Sequence, residues 1–223
     1  METKYLFQKR TQKQFWKKIN KKNEYILFLD YDGTLAKFKD NPANALPYPG
    51  IPEIISKIDN NNKINICIIS GRPVRQLKDF IDLSDIYYAG LHGLQIDEFK
   101  AVPVNITENF KKLKNKLKAK KGDYPIQLED KEFVLTIHYP SNFKRENELT
   151  DLISNYKTDK YEVISGRNNL EIRPQGWNKG DAVNLLTQKL TQNKALPIYI
   201  GDDTTDEDAF KVLKGITIYV KNN

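Results

Sequence analysis

Cysteine, histidine and long apolar runs are scarce in this 223-residue chain. Cys67 is the only cysteine, so the chain cannot form an internal disulfide, and a lone thiol in an apolar run fits a reducing compartment such as the cytoplasm. His92 and His138 are the only histidines, so a metal site must consist mainly of carboxylates, which favours Mg²⁺ over Zn²⁺. No apolar run approaches the ~18 residues that a membrane-spanning helix needs. The sequence therefore predicts no membrane partner.

Positive charge is concentrated near the start of the sequence. Residues 1–24 hold eight Lys and Arg and two acidic residues, so six of the seven net positive charges lie there. Phe7, Thr11, Phe15 and Ile19 follow helical spacing, which predicts an amphipathic helix docked by its aromatic face, with the lysines in solvent. Phe7, Phe15 and Trp16 are the expected docking residues. The alternative interpretations of this segment are a basic transit peptide and a nucleic-acid-binding module.

A second basic segment, residues 111–121, has seven lysines. Phe110, Leu113 and Leu117 share one helical stripe, which predicts a surface helix with a charged outer face. Aromatic side chains do not interleave with the lysines, as they do where proteins stack on single-stranded nucleic acid. We therefore expect no nucleic-acid partner.

Strands and helices alternate in the first and last parts of the chain. The apolar runs that predict strands are 25–30, 64–69, 86–89, 198–201 and 216–220. Helical patterns separate these runs, and this alternation predicts an α/β fold with a doubly wound, Rossmann-like parallel sheet.

The middle of the chain has a different pattern. Its helical and strand-like segments follow the order αββαββ, which predicts an antiparallel sheet covered by two helices. We interpret this segment as an α+β domain inserted into the first one. The predicted core domain comprises residues 1–98 and 174–223, and the predicted insertion comprises residues 99–173.

Polar clusters follow the predicted strands of the core. Asp30 and Asp32 come directly after the first strand, Ser70 follows the second, and Asp202 follows a later one. Lys179 opens a helix. Asp-Gly turns are common on solvated surfaces, but the ends of parallel strands meet at one edge of a sheet, where α/β folds bind ligands. So much negative charge in one crevice requires a cation.

These clusters resemble the motifs of the haloacid dehalogenase-like phosphatases. The complete segments around them resemble those of the trehalose-6-phosphate phosphatases. The matching segments are Asp30-Tyr-Asp-Gly-Thr-Leu, Ser70-Gly71-Arg72, Gly90-Leu-His92-Gly93, Leu170-Glu171-Ile-Arg173-Pro174, Asn178-Lys179-Gly180 and Gly201-Asp-Asp-Thr-Thr-Asp-Glu-Asp-Ala-Phe210. The αββαββ insertion is similar to the cap domain of such enzymes.

The resemblance implies a catalytic role for four residues. Asp30 would attack phosphorus to form an aspartyl-phosphate. Asp32 would protonate the departing sugar oxygen and then deprotonate the hydrolytic water. Ser70 and Lys179 would hold phosphoryl oxygens.

The resemblance also implies an Mg²⁺ cofactor and a sugar-binding set. Mg²⁺ would be held by Asp30, the main-chain carbonyl of Asp32 and Asp202, while Asp203 and Asp206 would orient its waters or Lys179. The expected substrate-binding residues are Gly71, Arg72, His92, Glu129, Lys131 and Glu171. Of these, Glu129, Lys131 and Glu171 would bind the distal glucose, and His92 would touch the sugar or brace the hinge.

The sequence therefore predicts a monomeric, cytoplasmic, Mg²⁺-dependent phosphatase whose partner is a small sugar phosphate, with trehalose 6-phosphate as the expected substrate. One alternative is a phosphatase of another sugar phosphate, such as sucrose or glucosylglycerol phosphate, because the core motifs contact only the phosphoryl group. A second alternative is a non-catalytic partner of a trehalose-phosphate synthase. That alternative predicts damaged motifs, whereas Asp30, Asp32, Ser70, Lys179 and Asp202 are all present.

Overall fold

The computed structural model describes residues 5–39, 41–59, 63–97, 106–120, 122–156, 160–166, 168–192 and 194–221. The chain divides into two compact units, one of Met1–Ala101 with Asn178–Asn223 and the other of Val102–Trp177. Residue 98, the first boundary predicted from the sequence, lies outside the described residues. No helix in the described part of the chain is long and apolar enough to cross a membrane.

The first unit contains a six-stranded sheet. Its strands are β1 (Tyr25–Asp30), β2 (Ile64–Ile69), β3 (Tyr87–Gly90), β4 (Gln95–Ile96), β9 (Leu196–Gly201) and β10 (Ile216–Tyr219). Their order across the sheet is β10-β9-β1-β2-β3-β4. Neighbouring strands are parallel except β4, which pairs antiparallel with β3. The predicted parallel α/β sheet is confirmed, and the short antiparallel edge strand was not predicted.

Apolar side chains cover both faces of this sheet, because its central strands alternate between two buried faces. On one face, Leu29 packs in a cluster with Ile55 and Leu77 of the helices α2 (Ile51–Asp59) and α3 (Val74–Phe80). On the opposite face, the ring of Phe28 stacks on Tyr199. Tyr199 in turn contacts Phe210 of α7 (Asp206–Val212).

The N-terminal helix α1 spans Lys9–Ile19 and has no buried residue. The predicted aromatic docking face is wrong for Phe7, which is 71% exposed, and for Trp16, which is 57% exposed. Phe7 precedes the first helical residue and so does not continue the stripe of Phe15 and Ile19, which are half-buried. The end of the helix is held by polar contacts, since Lys18 Nζ donates to the carbonyl of Gly215 at 2.8 Å.

The second unit is the predicted αββαββ arrangement. Its elements are α4 (Glu108–Ala119), β5 (Gln127–Asp130), β6 (Leu135–His138), α5 (Glu146–Ser154), β7 (Tyr161–Gly166) and β8 (Asn169–Pro174). The strands form an antiparallel sheet of order β5-β6-β8-β7. Leu135, Ile137, Leu170 and Ile172 pack against both helices in one apolar cluster. The alternate positions of the same strands therefore form a second face, which carries polar side chains.

Candidate active site

The candidate site side chains lie at the carboxyl ends of parallel strands in the first unit. Asp30 is the last residue of β1 and pairs in register with Ile69 of β2, so Ser70 follows at the same level. β9 pairs with the other side of β1 and ends at Gly201, immediately before Asp202. Parallel pairing thus brings three chain segments that are distant in sequence to one edge of the sheet.

Lys179, the first residue of α6 (Lys179–Thr191), forms ion pairs with the carboxylates of Asp30 and Asp206. Its Nζ donates to Asp30 Oδ1 at 2.7 Å and to Asp206 Oδ1 at 2.6 Å. The Lys179 side chain is 3% exposed. Burial opposes its charged form, but Asp30 and Asp206 outweigh burial and raise the pKa of Lys179. The ammonium group therefore remains charged at the base of the site. Asn178 caps α6 and fixes the position from which Lys179 projects.

Asp206 anchors this arrangement from inside the protein. Its side chain is fully buried and accepts four hydrogen bonds, from Lys179 Nζ, Tyr199 Oη and the backbone N–H groups of Asp202 and Asp203. Burial works to raise its pKa, yet Lys179 and the other donors hold the pKa of Asp206 below its ordinary value. Asp206 therefore positions both Lys179 and the loop that carries Asp202.

Asp203 is placed differently from Asp206. It is exposed, and its Oδ1 accepts hydrogen bonds from the backbone N–H and the hydroxyl of Thr204. The structure thus pairs Asp206 with Lys179. Of the two roles predicted for Asp206, orienting the waters of Mg²⁺ or orienting Lys179, this contact fits the second. The described contacts of the Asp203 side chain do not include Lys179.

The carboxylate oxygens around Asp30 and Asp202 form a donor set that suits a cation. Oxygen atoms of Asp30, Asp202 and Asp206 lie within 4.8 Å of one another. Asp30 Oδ2 is buried and has no hydrogen-bond partner among the described residues, whereas the oxygens of Asp206 are already occupied by donors. A hard cation would satisfy the orphaned oxygen of Asp30. Asp30 and Asp202 are therefore the side chains best suited to hold it.

The loop after β1 is shaped around Asp202. Gly33 has φ +89°, and a Cβ atom at this position would lie 2.0 Å from Asp202 Oδ2. Glycine is required here for its backbone conformation and for the close approach of the carboxylate. Burial raises the pKa of Asp202 to about 6, with Asp206 and Asp203 adding to the increase. Burial also raises the pKa of Asp30, although Lys179 opposes it. A bound cation would relieve this accumulation of negative charge.

Asp32 lies in a different environment from Asp30, although it is only two residues away. Its two carboxylate oxygens accept hydrogen bonds from Arg72 Nε at 2.7 Å and Arg72 Nη2 at 2.6 Å. The guanidinium group of Arg72 lies over the rings of Tyr31 and Phe80 and also donates to the carbonyl of Pro42. Arg72 thus fixes the orientation of Asp32 through a bidentate pair. Its predicted contact with substrate stays a prediction.

Ser70, Gly71 and His92 form one packed corner. Ser70 is buried and its Oγ accepts the backbone N–H of Arg72. The N–H of His92 donates to the carbonyl of Ser70, and a Cβ on Gly71 would lie 2.9 Å from His92 Nε2. His92 has φ +57° and is 7% exposed. This geometry fits the bracing role that was one of the two sequence interpretations of His92.

The polar face of the second unit's sheet collects the predicted sugar-binding residues. Glu129 of β5, Thr136 of β6 and Glu171 of β8 are direct cross-strand neighbours. Lys131 Nζ lies 3.5 Å from Glu129 Oε2 and 3.8 Å from Glu171 Oε2. His138 Nε2 lies 3.0 Å from Glu129 Oε2. The structure thus brings Glu129, Lys131 and Glu171 together.

Three contributors were missed from the sequence. Thr136 and His138 alternate on β6. Thr136 lies directly opposite Glu129 and Glu171, and His138 reaches Glu129 from the next position on the same face, so the period-two pattern could have found them. The third is Tyr199, the hydrogen-bond donor to Asp206, which lies within the apolar run of β9. No local signal marks its hydroxyl group as part of the site.

Known proteins resemble this chain over most of its length. The trehalose-phosphatase family model matches residues 28–222. The chain is 32% identical over 220 residues to trehalose-phosphate phosphatase B of Arabidopsis thaliana, covering 87% of this chain and 57% of that protein. It is 31% identical over 227 residues to a trehalose 6-phosphate phosphatase of Zea mays, covering 88% and 61%.

Solved structures agree with this family relationship. The C-terminal domain of trehalose-6-phosphate phosphatase from C. albicans superposes with a TM-score of 0.74 at 26% identity, covering 90% of this chain and 77% of that one. The chain spans only about 57–61% of the length of the two curated relatives above.

Proposed function

The chain belongs to the trehalose-phosphatase family, and from this membership we propose that it hydrolyses trehalose 6-phosphate to trehalose and phosphate. The observation that supports the proposal best is the contrast between Asp30 and Asp32. Asp30 is buried beside Lys179, whereas Asp32 is partly exposed and paired with Arg72. Two carboxylates in different environments suit two different roles, one as nucleophile and one as acid and base.

In the first step, a carboxylate oxygen of Asp30 attacks phosphorus in line with the sugar oxygen. The bond between phosphorus and that oxygen breaks, and Asp32 donates a proton to the departing alkoxide. The products are an aspartyl-phosphate on Asp30 and free trehalose. In the second step, Asp32 takes a proton from water as the water oxygen attacks phosphorus, which releases inorganic phosphate and restores Asp30.

Lys179 and Ser70 would hold the phosphoryl oxygens during both steps. Lys179 already donates to Asp30, so its ammonium group lies beside the attacking carboxylate. The hydroxyl of Ser70 lies at the end of the adjacent strand. Positioning and neutralisation of charge supply most of the catalysis in phosphoryl transfer. Asp206 would contribute by holding Lys179 in place.

The cofactor in this proposal is Mg²⁺, held by Asp30, Asp202 and the main-chain carbonyl of Asp32. The orphaned oxygen of Asp30 and the space that Gly33 leaves for Asp202 support this choice. When bound, Mg²⁺ would neutralise negative charge on the phosphoryl oxygens.

The sugar would be recognised by the polar face of the second unit. Glu129 and Glu171 offer acceptors for several sugar hydroxyls, and Lys131 offers donors. Burial opposes ionisation of Glu129, but His138 and Lys131 hold the pKa of its carboxyl below the ordinary value. Glu129 is therefore an anionic acceptor at neutral pH. We also propose that the partner is a small sugar phosphate and that the protein is cytoplasmic. The second part rests on the lone, buried thiol of Cys67, which fits a reducing compartment.

Release of phosphate from a panel of disaccharide and monosaccharide phosphates, with Mg²⁺ present, tests the proposal. Trehalose 6-phosphate is expected to give the highest kcat/KM. Sucrose phosphate or glucosylglycerol phosphate as the preferred substrate would replace the proposed function with the first alternative. If no substrate released phosphate, the second alternative would remain, in which the protein is a non-catalytic partner of a trehalose-phosphate synthase.

Two alanine variants test sugar recognition by the second unit. Glu129→Ala and Glu171→Ala are expected to lower kcat/KM for trehalose 6-phosphate roughly ten- to hundredfold, since a hydrogen bond to a charged group is worth about 1.5–3 kcal/mol. Hydrolysis of a small aryl phosphate is expected to change little. Glu148→Ala is the matched control, because Glu148 pairs with Arg145 on the exposed face of α5. An equal loss on both substrates would contradict sugar recognition.

A further inference from the structure

The basic segment 111–121 contains one lysine that is unlike the others described. Lys111, Lys112, Lys116 and Lys118 of α4 are exposed, whereas Lys114 is only 9% exposed. Lys114 lies four residues after Phe110 and three before Leu117, so it shares the buried stripe of the helix. The charged outer face predicted for this helix therefore does not include Lys114.

The buried ammonium group of Lys114 has two acceptors on the β5–β6 turn. Its Nζ donates to Asp130 Oδ1 at 2.5 Å and to the carbonyl of Glu132 at 2.6 Å. Asp130 Oδ1 also accepts the backbone N–H of Glu132 at 3.2 Å. Lys114 thus binds the residue before Lys131 and the residue after it, and the ammonium group closes the turn from the helix side.

The turn held in this way has an unfavourable backbone conformation. Glu132 has φ +69°, a region that residues other than glycine seldom adopt unless their surroundings impose it. Two backbone hydrogen bonds accompany it, from Lys131 N–H to the carbonyl of Val134 and from Phe133 N–H to the carbonyl of Lys131. The contacts of Lys114 with Asp130 and Glu132 supply such surroundings.

Lys131 is the residue whose position depends on this turn. It lies just beyond the end of β5, and its Nζ approaches both Glu129 and Glu171. A shift of the turn would move this ammonium group away from the two carboxylates. Their spacing, and the groups they present to a ligand, would then change.

We propose that Lys114 is a positioning residue for sugar recognition, which acts by holding Lys131 between Glu129 and Glu171. The inference rests on the proposed function, since it assumes that these three side chains bind the sugar of the substrate. It assigns part of the substrate specificity to a helix residue that has no place in the motifs of the site.

Lys114→Met tests the proposal, because methionine keeps most of the side-chain volume and removes the donors. We expect KM for trehalose 6-phosphate to rise at least tenfold, while kcat/KM for a small aryl phosphate stays within twofold. Lys118→Met is the matched control, because Lys118 contacts the other oxygen of Asp130 at 3.3 Å but is 56% exposed. It is expected to stay within twofold on both substrates. Lys114→Arg, which keeps donors for both acceptors, is expected to recover part of the loss.

Unchanged selectivity in Lys114→Met, or equal losses on both substrates, would overturn the proposal in favour of a merely structural lysine. If Lys114→Met does not fold, Asp130→Asn decides the question from the other end of the contact. Asp130→Asn is expected to raise KM for the sugar phosphate in the same selective way. Retention of full selectivity by Asp130→Asn would overturn the proposal.

Hydrogen exchange separates this inference from the proposed function. In Lys114→Met, the amides of Lys131 and Phe133 are expected to exchange at least tenfold faster than in the wild type, and in Lys118→Met at the wild-type rate. A wild type that hydrolyses a different sugar phosphate would refute the proposed substrate alone. Lys114 would then be judged by its exchange rates and by the selectivity for that substrate. Unchanged exchange in Lys114→Met would overturn the inference whichever substrate is preferred.

Discussion

Replacement of Asp206 by asparagine tests whether its role differs from that of Asp203, which lies three residues earlier in the same acidic run. Asp206 is fully buried and accepts four hydrogen bonds, whereas Asp203 is exposed and contacts Thr204. In Asp206→Asn, the new amide group must face either Lys179 with Tyr199 or two backbone N–H groups. In both orientations it places a donor against donors.

The size of the effect follows from these contacts. Removal of one partner of a buried ion pair costs about 3–5 kcal/mol. Lys179 keeps Asp30 as a partner at 2.7 Å, so we expect the lower end of that range for Asp206→Asn. For a domain of 150–250 residues, a loss of about 3 kcal/mol lowers Tm by roughly 6–12 °C. Asp203→Asn is expected to change the free energy of unfolding by no more than about 0.5 kcal/mol.

Thermal unfolding and phosphate release measure the two consequences. The variant Asp206→Asn is expected to lose roughly 10²-fold in kcat even below its Tm, because the ammonium group of Lys179 loses one of its two carboxylate partners and shifts from its position. Asp203→Asn is expected to keep its Tm and most of its activity. A Tm of Asp206→Asn within 2 °C of the wild type, or equal damage in both variants, would refute this assignment of roles.

Three further predictions concern the reaction centre. Asp30→Asn is expected to abolish phosphate release while circular dichroism stays unchanged; release near the wild-type rate would exclude Asp30 as the nucleophile. When Mg²⁺ is added to wild-type protein from which metal has been removed by a chelator, the Tm is expected to rise. Asp202→Ala is expected to lose this rise in Tm and to need more Mg²⁺ for activity. An undiminished rise in the variant would exclude Asp202 as a metal ligand. Arg72→Lys loses the bidentate contact with Asp32, so kcat for trehalose 6-phosphate is expected to fall at least tenfold. The fall is expected to be smaller for a nitrophenyl phosphate, because its leaving group needs no proton from Asp32. Equal losses on both substrates would contradict this role of Arg72.

Local sequence patterns were sufficient to predict the parallel strands of the core sheet, although not its antiparallel edge strand. The apolar runs of β1, β2 and β9 are long enough to be buried on both faces. β1 ends at Asp30, and β2 and β9 are followed directly by Ser70 and Asp202. Because parallel strands end at one edge, the order of elements alone predicts that Asp30, Ser70 and Asp202 meet. The αββαββ order of the second unit followed in the same way from periodicity.

The pairing of side chains could not be predicted in this way. Periodicity states which face a residue occupies but not what lies opposite it. Arg72 and Asp32 are 40 residues apart, and Lys179 and Asp30 are 149 apart. The docking of α1 failed for the same reason, since the aromatic spacing was present but Phe7 and Trp16 have no covering surface in the described structure.

Burial of individual charges is the clearest case of a property that the tertiary structure decided. Sequence patterns placed Asp203 and Asp206 in one acidic run and Lys114 among seven similar lysines. Only the folded chain selects Asp206 and Lys114 for the interior, because each finds several opposite groups there. A buried charge is stable only when such partners are already in place, and those partners come from other elements of the fold.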